Sequence, residues 1–519
     1  MRTEWNYILL LLLVILSLVI RLFFAFSTPY FSDDSSYYQL RHIEIIKENI
    51  LPAFYDPLGF GGRTFIFSPL FHYILALLTS FGSLWYITKL IPNIFASSLI
   101  IIIFFLVDEI TKNKNIALFT ACIAAFIPIY FVETVNALSA KVICLPLSFL
   151  FLLFFYKIQT KKSSIVCLFI LCFLIVLDAS SIILLLGLVL YLFLEKIYGF
   201  QTKKEEVELI FFGLLLSLWF YIILYKGALF QHGITILWQN IPQQLIDKYY
   251  YNINIINAMY HVGIVPLIFG LLVICYILFR NPEQRRDNIE EAKQYEDIRK
   301  KIFPVISITI VTGVLLWFTM IEWTLGLLYL SILLVLLSGY GYMLFHNYIQ
   351  KTKIRGWSSI IFVCVFLLFI ASSVLPTFYY TAQRIAQTIT PKEVLFLRVL
   401  PVIADEDEIV LSLVDDGHYI EYFANRKTVV DSNFLQIPDA KQRIEDINTI
   451  FTTYSKIVAT KIMNKYNATY IYISPTVKQL YGLEYLNYED NECFQLLYTG
   501  EVRLYKSTCK QQKQKRNPK

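Results

Sequence analysis

The chain has 519 residues, of which 57% are hydrophobic and 16% charged, with a mean hydropathy of +0.58 and a formal net charge of +6. Soluble domains hold about 45–50% apolar residues, so this composition excludes an ordinary soluble protein and points to a polytopic membrane protein. The positive charge needs no nucleic-acid partner, because membrane proteins concentrate Lys and Arg in cytoplasmic loops.

The first apolar run, 7–27, continues to Phe26 without a small-residue cleavage site and reads as an anchor. Directly after it comes FSDDSSYYQL (31–40), which sets Asp33 and Asp34 where a membrane helix meets water. A carboxylate there needs a partner or a task. The following YYQLRHIEIIKENI has amphipathic spacing, with Pro52 and Tyr55-Asp56-Pro57 ending it. Two readings of the doublet stay open. Asp is a favoured helix N-cap and suits the helix dipole, which accounts for one Asp better than for two. The other reading is a general base or metal ligand at the depth where a lipid-linked substrate carries its polar head. Further along, GFGGRTF (59–65) sets Arg63 beside Gly59, Gly61 and Gly62, whose backbone can approach a phosphate closely.

Candidate spans follow at 84–107, 116–132, 137–156, 163–178, 180–198, 207–225, 259–279, 302–320, 324–346 and 357–379. The run 66–82 is also apolar, but counting it as a span moves the basic loops between 108 and 206 to the wrong side of the membrane. It is therefore predicted as a juxtamembrane helix with Phe71, Tyr73 and Leu77 toward lipid. With the N-terminus inside, the inside loops DEITKNKN, KIQTKK, GFQTKKEE, 280–301 and HNYIQKTKIRGW hold most loop Lys and Arg. Loop 28–83, the turn 133–136, loop 226–258 and everything after about 380 then share one exterior face. Exterior cations available to a phosphate are Arg41, Arg63, Lys141, Lys226 and Lys248, with His42, His232 and His261 nearby. For Lys141, which opens a span, snorkelling to the interface is the plain alternative.

From about 381 the composition changes. ADEDEIVLSLVDDG, KTVVDSN, ATYIYISP and EVRLYKS alternate β-formers with turn residues, and IPDAKQRIEDINTIFTTYSKIVATKIMNKYN has helical periodicity. The domains read as a membrane domain over 1–380 carrying the exterior loop 28–83, a soluble exterior α/β domain over 381–507, and a basic tail over 508–519. Six cysteines lie in or beside apolar runs as inert thiols. Cys493 and Cys509 can pair if their region is extracytoplasmic. The fold class is thus a polytopic α-helical membrane protein of about 11 spans plus a juxtamembrane helix, with a C-terminal extracytoplasmic α/β domain.

This order of features resembles the GT-C glycosyltransferase superfamily, and within it the catalytic subunit of archaeal and eukaryotic oligosaccharyltransferases. DDSSYYQLR resembles the family's first acidic motif and maps its essential Asp onto Asp34. FSPLFHYILALL (67–78) resembles the juxtamembrane segment, and 90–135 the next two spans. DDGHYIEYFANRKTVVDSN (415–433) resembles the stretch beginning WWDYG, with Asp415, Gly417, Arg426, Asp431 and Asn433 on matching positions. Three departures stand beside the likeness. Ala140, Lys141 and Val142 occupy the place of a second acidic, metal-binding motif. Leu413 and Val414 replace the paired tryptophans that help hold the acceptor sequon. The donor-binding Arg of a late span has no counterpart in EWTLGLLYLSILL (322–334).

The resemblance implies an inverting membrane glycosyltransferase that moves a sugar or glycan from a polyprenyl-phosphate or polyprenyl-pyrophosphate carrier to an exterior protein, lipid or polysaccharide. Asp34 would orient or deprotonate the acceptor with Asp33 assisting. Arg63, Arg41 and Lys141 would face the donor phosphate, and Asp415 and Asp416 would position the acceptor. Loop 226–258 could close over the donor. The metal is open: Mg2+ or Mn2+, with Asp34 as its ligand if there is one. The location implied is a cell or endoplasmic reticulum-type membrane. Alternatives are a non-catalytic or glycan-translocating protein on the same fold, or a divergent N-oligosaccharyltransferase. Asn467-Ala468-Thr469 is a glycosylation sequon on the predicted exterior.

Overall fold

Long apolar runs can only enter lipid as structures that satisfy their own backbone hydrogen bonds, and this chain meets that demand with helices. A computed structural model describes residues 2–158, 160–200, 202–232, 255–279, 289–434, 437 and 439–509. The described residues fall into two compact units. One takes them from Met1–Pro29, Ser68–Ile223 and Gln244–Gln387; the other takes them from Tyr30–Phe67, Leu224–Gln243 and Thr388–Lys519.

Six helices among the described residues are long and apolar enough to cross a membrane. They include Arg2–Phe26, Leu84–Thr111 and Trp323–Gln350. A seventh span is available if Lys114–Ala125 and Pro128–Val135, bent by 51°, count as one. The remaining four of the eleven predicted spans correspond to helices of 15 to 17 residues: Lys141–Phe155, Lys161–Leu177, Ser181–Ile197 and Ile264–Phe279. The run 66–82 forms the helix Leu70–Leu78 and a short turn Thr79–Phe81. Its sequence LFHYILALL is apolar on both faces, so the expected lipid-facing set is corrected at Phe71. Phe71 and Leu75, one turn apart, are buried, while Leu77 is exposed.

The first helix is anchored by polar groups. Arg21 is buried against the rings of Tyr130 and Phe131 and donates to Thr134 Oγ1 at 2.9 Å. Lys89 Nζ donates to the carbonyls of Ala25 and Thr28, each at 2.6 Å, and so caps the helix end from which the Asp33-Asp34 segment departs.

The second unit carries the helix Ser35–Asn49 and a hairpin of β1 (Tyr55–Asp56) and β2 (Arg63–Thr64), in which Asp56 pairs with Arg63. Its five-stranded sheet has the order β4-β3-β5-β7-β6, with β3 (Ile409–Leu411), β4 (Lys427–Thr428), β5 (Ala468–Ile473), β6 (Phe494–Thr499) and β7 (Arg503–Ser507). β3 runs parallel to β4 and β5, and β7 antiparallel to β5 and β6. The central strand β5, ATYIYI, is buried almost throughout, which is why it reads as a near-continuous run of apolar and aromatic residues. The predicted helical stretch becomes two helices, Ala440–Thr452 and Lys456–Lys465. Cys493 and Cys509 form a disulfide that closes the β6–β7 hairpin.

Candidate active site

The Asp doublet divides its work. Asp33 accepts hydrogen bonds from Ser35 Oγ at 2.5 Å and Ser36 Oγ at 2.6 Å, a local arrangement in the first turn of Ser35–Asn49. Asp34 makes no side-chain cap to its own helix. Its Oδ1 accepts the backbone N–H groups of His418 at 2.9 Å and Tyr419 at 3.2 Å, and Ser432 Oγ lies 3.3 Å from Oδ2. Those amides open the helical run from Gly417 to Ala424, whose second part is a π-turn. An anionic group belongs at such an end. Gly417 is required by close approach: a Cβ there would meet Val430 O at 2.6 Å. Burial holds the Asp34 carboxyl well above the ordinary range; His418 opposes this, while Asp415, Glu421 and Asp431 add to it.

Around Asp34 lies a buried ion network within the same unit. Arg63 binds Asp431 in bidentate fashion, at 3.0 Å (Nη1–Oδ1) and 2.6 Å (Nη2–Oδ2), and donates to Asn433 O at 2.6 Å. Its guanidinium sits between the rings of Phe60 and Phe65. Gly59 permits this closeness, since a Cβ there would meet Asp431 Oδ2 at 2.6 Å. Arg41 pairs with Asp56 at 2.6 Å and Glu421 at 3.3 Å. Glu421 also accepts from Thr428 Oγ1 at 2.8 Å and lies 2.8 Å from His418 Nδ1. His418 Nε2 lies 3.1 Å from the Asn433 amide.

Charge sets the protonation states. Burial lowers His418, but the facing Asp34, Glu421 and Asp431 outweigh it and push it up to about 9. Burial also opposes ionisation of Glu421, yet Arg41 and His418 hold it well below its usual value. Asp431 is pushed up to about 6 by burial, against the pull of Arg63. At neutral pH Arg41, Arg63 and the His418 imidazolium therefore face Glu421, held ionised, and Asp431, raised toward neutrality, with the Asp34 carboxyl well above its ordinary range.

His418, Glu421 and Asp431 place ligand atoms within 4.8 Å of one another, close enough in distance to hold an ion. The donor set does not fit a resident divalent cation. Arg63 already takes both oxygens of Asp431, and Arg41, Thr428 and His418 take those of Glu421. Displacing either arginine from a buried pair costs about 3–5 kcal/mol. The expected ligand Asp34 has both oxygens engaged as well.

The other expected site residues are distributed as follows. Asp415 is half-buried and contributes to the field at Asp34. Asp416 is buried inside the domain, where Ser412 Oγ at 2.6 Å and Ser474 Oγ at 2.9 Å donate to it and burial raises its carboxyl to about 7. Lys141 belongs to the first unit and pairs with Glu322 at 3.2 Å. Arg426 donates to Ala404 O and caps the helix Pro391–Ile403. His42 packs on the rings of Tyr38 and Phe67, and His261 on Tyr380 and Trp323. Of loop 226–258, the helix Lys226–His232 and the residues from 255 are described, whereas 233–254, with Lys248, lie outside the described residues. Sequence reasoning missed His418, Glu421 and Asp56. The i, i+3 spacing of His418 and Glu421 in DDGHYIEYF was the available signal.

The chain shares its fold with solved membrane enzymes. The oligosaccharyltransferase of Archaeoglobus fulgidus in its apo form superposes with a TM-score of 0.65 at 12% identity, covering 91% of this chain and 70% of that one. The fold is that of the GT-C glycosyltransferases. Archaeal AglB from the same organism, solved with an inhibitory peptide and a dolichol-phosphate, gives 0.64 at 12% identity, covering 92% and 70%. A second GT-C enzyme, ArnT from Cupriavidus metallidurans bound to undecaprenyl phosphate, gives 0.54 at 11% identity, covering 98% of both chains. The A. fulgidus enzyme has also been solved with Zn and sulfate. No family model matches the sequence, and no curated protein does.

Proposed function

We propose that this GT-C chain transfers a sugar or glycan from a polyprenyl-phosphate or polyprenyl-pyrophosphate carrier to an extracytoplasmic acceptor. One observation carries the reading: the two stretches on which the family resemblance rests, DDSSYYQLR and DDGHYIEYFANRKTVVDSN, meet around the Asp34 carboxylate. The matched enzymes solved with dolichol-phosphate and undecaprenyl phosphate support a lipid carrier.

In this scheme Asp34, once ionised, accepts a proton from the acceptor nucleophile as it attacks the anomeric carbon. The bond from that carbon to the phosphate oxygen breaks with inversion, and the carrier leaves as a phosphate anion. The raised affinity of Asp34 for a proton makes it a stronger base than an exposed carboxylate. Asp33 assists by fixing the turn before Ser35–Asn49. Arg41, with 12% of its side chain exposed, is the network cation nearest to solvent and the better candidate for the leaving phosphate. Arg63, enclosed by Asp431, acts by holding that segment in place. Lys141 is the membrane unit's candidate for the donor phosphate. Asp415 positions the acceptor, with Asp416 supporting the turn beneath it. No step passes through a metal ion. Leu413 and Val414 are buried, which favours an acceptor other than the Asn-x-Ser/Thr peptide. The saturated ion network is the observation that favours a non-catalytic, glycan-translocating protein on the same fold.

The test is transfer from a labelled polyprenyl-linked sugar by purified wild type and Asp34→Asn, with donor binding measured in parallel. Loss of transfer with binding retained supports the enzyme. Equal transfer by both removes the role given to Asp34, and binding without transfer by the wild type, across acceptor classes, favours the translocating protein.

A further inference from the structure

An open crevice of about 560 Å3 lies in the first unit, lined by residues of or beside Arg2–Phe26, Lys114–Ala125, Trp323–Gln350 and Ser358–Phe369. Its volume is in the range of ligand sites, and it includes none of the residues of the ion network. Leu13, Phe119 and Phe366 form part of its apolar wall, and Asn113, Asn115 and His346 line it as the polar members. Three of the surrounding helices belong to stretches of membrane-crossing length and composition, which suits a lipid ligand.

We propose that this cavity binds an anionic phospholipid, with an acyl chain along the apolar wall and the phosphate at the Asn113–Asn115 rim. The charge at that rim selects the headgroup. Lys114, between the two lining asparagines, donates to the Tyr7 phenol at 2.9 Å and lies over its ring at 4.6 Å. That partner is neutral, and the Asp108 carboxylate acts on Lys114 without forming an ion pair among the described residues. Lys112 adds a second ammonium, partly offset by Glu109 at 2.9 Å. Beyond His346, the segment 346–357 carries Lys351, Lys353 and Arg355, all exposed, and no acidic residue. Each such cation near a lipid phosphate contributes about 1 kcal/mol. By the positive-inside rule, this is the leaflet in which anionic lipid is met from the cytosol.

Native mass spectrometry of the full chain, exchanged into phosphatidylglycerol or phosphatidylcholine, tests this. The expected result is one retained phosphatidylglycerol, favoured over phosphatidylcholine by about fivefold, the ratio one lysine supports. Lys114→Gln should weaken that preference, and Cys122→Trp, which intrudes into the crevice, should abolish retention. Because Cys122 lines the cavity and Cys275 is exposed elsewhere, a second readout needs no variant: added phosphatidylglycerol should slow alkylation of Cys122 and leave Cys275 unchanged. Equal retention of both lipids, unchanged Cys122 alkylation, or stoichiometric displacement by undecaprenyl phosphate would overturn the assignment.

Discussion

Asp34 Oδ1 accepts the backbone N–H of His418 at 2.9 Å, joining residues 384 positions apart in sequence. This contact makes a carboxylate from the segment after the first helix part of the C-terminal domain's own helix end. It also gives the conservative variant an interpretable meaning. Asn at position 34 keeps an acceptor oxygen for both amides, whereas Ala leaves them buried and unpaired. Asp34→Ala should therefore lower stability by about 1–3 kcal/mol. Asp34→Asn should melt close to wild type and lose about 10²–10⁴-fold in transfer rate, the span of a general base. Thermal melts beside initial rates separate the two effects.

Arg63→Lys should be as damaging as Arg63→Ala. The guanidinium bridges both oxygens of Asp431 and the Asn433 carbonyl, a geometry one ammonium cannot reproduce. Either change leaves Asp431 buried without its partner, at about 3–5 kcal/mol. A melting temperature for Arg63→Lys equal to that of wild type would contradict this.

Stability should fall as pH rises from 6.5 to 9. His418 is lifted from 6.5 to about 9 in the folded state, so the native protein holds a proton that the unfolded chain has released in this window. The contribution is fully present below pH 6.5 and is lost through pH 9, amounting to about 3 kcal/mol. Asp416, raised to about 7, adds a loss of the same sign between pH 4 and 7. Melting curves of His418→Gln should lack the alkaline part of the decline.

Transfer should withstand EDTA, because arginines hold the oxygens that an ion would need at His418, Glu421 and Asp431. Loss of activity on chelation, restored by Mn2+ or Mg2+, would contradict the charge assignment.

Cys493→Ser should destabilise the C-terminal domain by about 3 kcal/mol, the entropy of closing a loop of this length, since the bridged residues are 16 apart. Thermal melts of the full chain with and without reductant give the comparison.

What the sequence disclosed follows from how local each signal is. Apolar runs of about 20 residues announce helices, and every predicted span has a described helix, though Lys141–Phe155 and Ile264–Phe279 fall short of the roughly 17 residues a span needs. The strands of the C-terminal sheet were legible from alternation around β3, β5 and β7. β6, FQLLYT, was legible as a strand-like stretch beside Cys493. Asp34 stood out by its place beside a span and by its match to a family motif. Arg63 was visible as a cation among glycines, but its partner Asp431 lies 368 positions away, and no periodicity encodes a pairing at that distance. His418 and Glu421 were hidden for the same reason: their roles appear only once Arg41 and Asp34 are brought beside them.

The central claim is that the Asp33-Asp34 segment and the C-terminal domain form one site facing a single extracytoplasmic compartment. Ile50 and Tyr454 are exposed, the first at the end of the helix Ser35–Asn49 and the second after the helix Ala440–Thr452. Single cysteines at these positions, with Cys275 and Cys364 replaced by Ser, can be probed on sealed right-side-out vesicles with a membrane-impermeant maleimide. Labelling of both positions without permeabilisation is the expected result. Labelling of one alone, with the other reacting only after lysis, would separate the two halves and end the shared-site account.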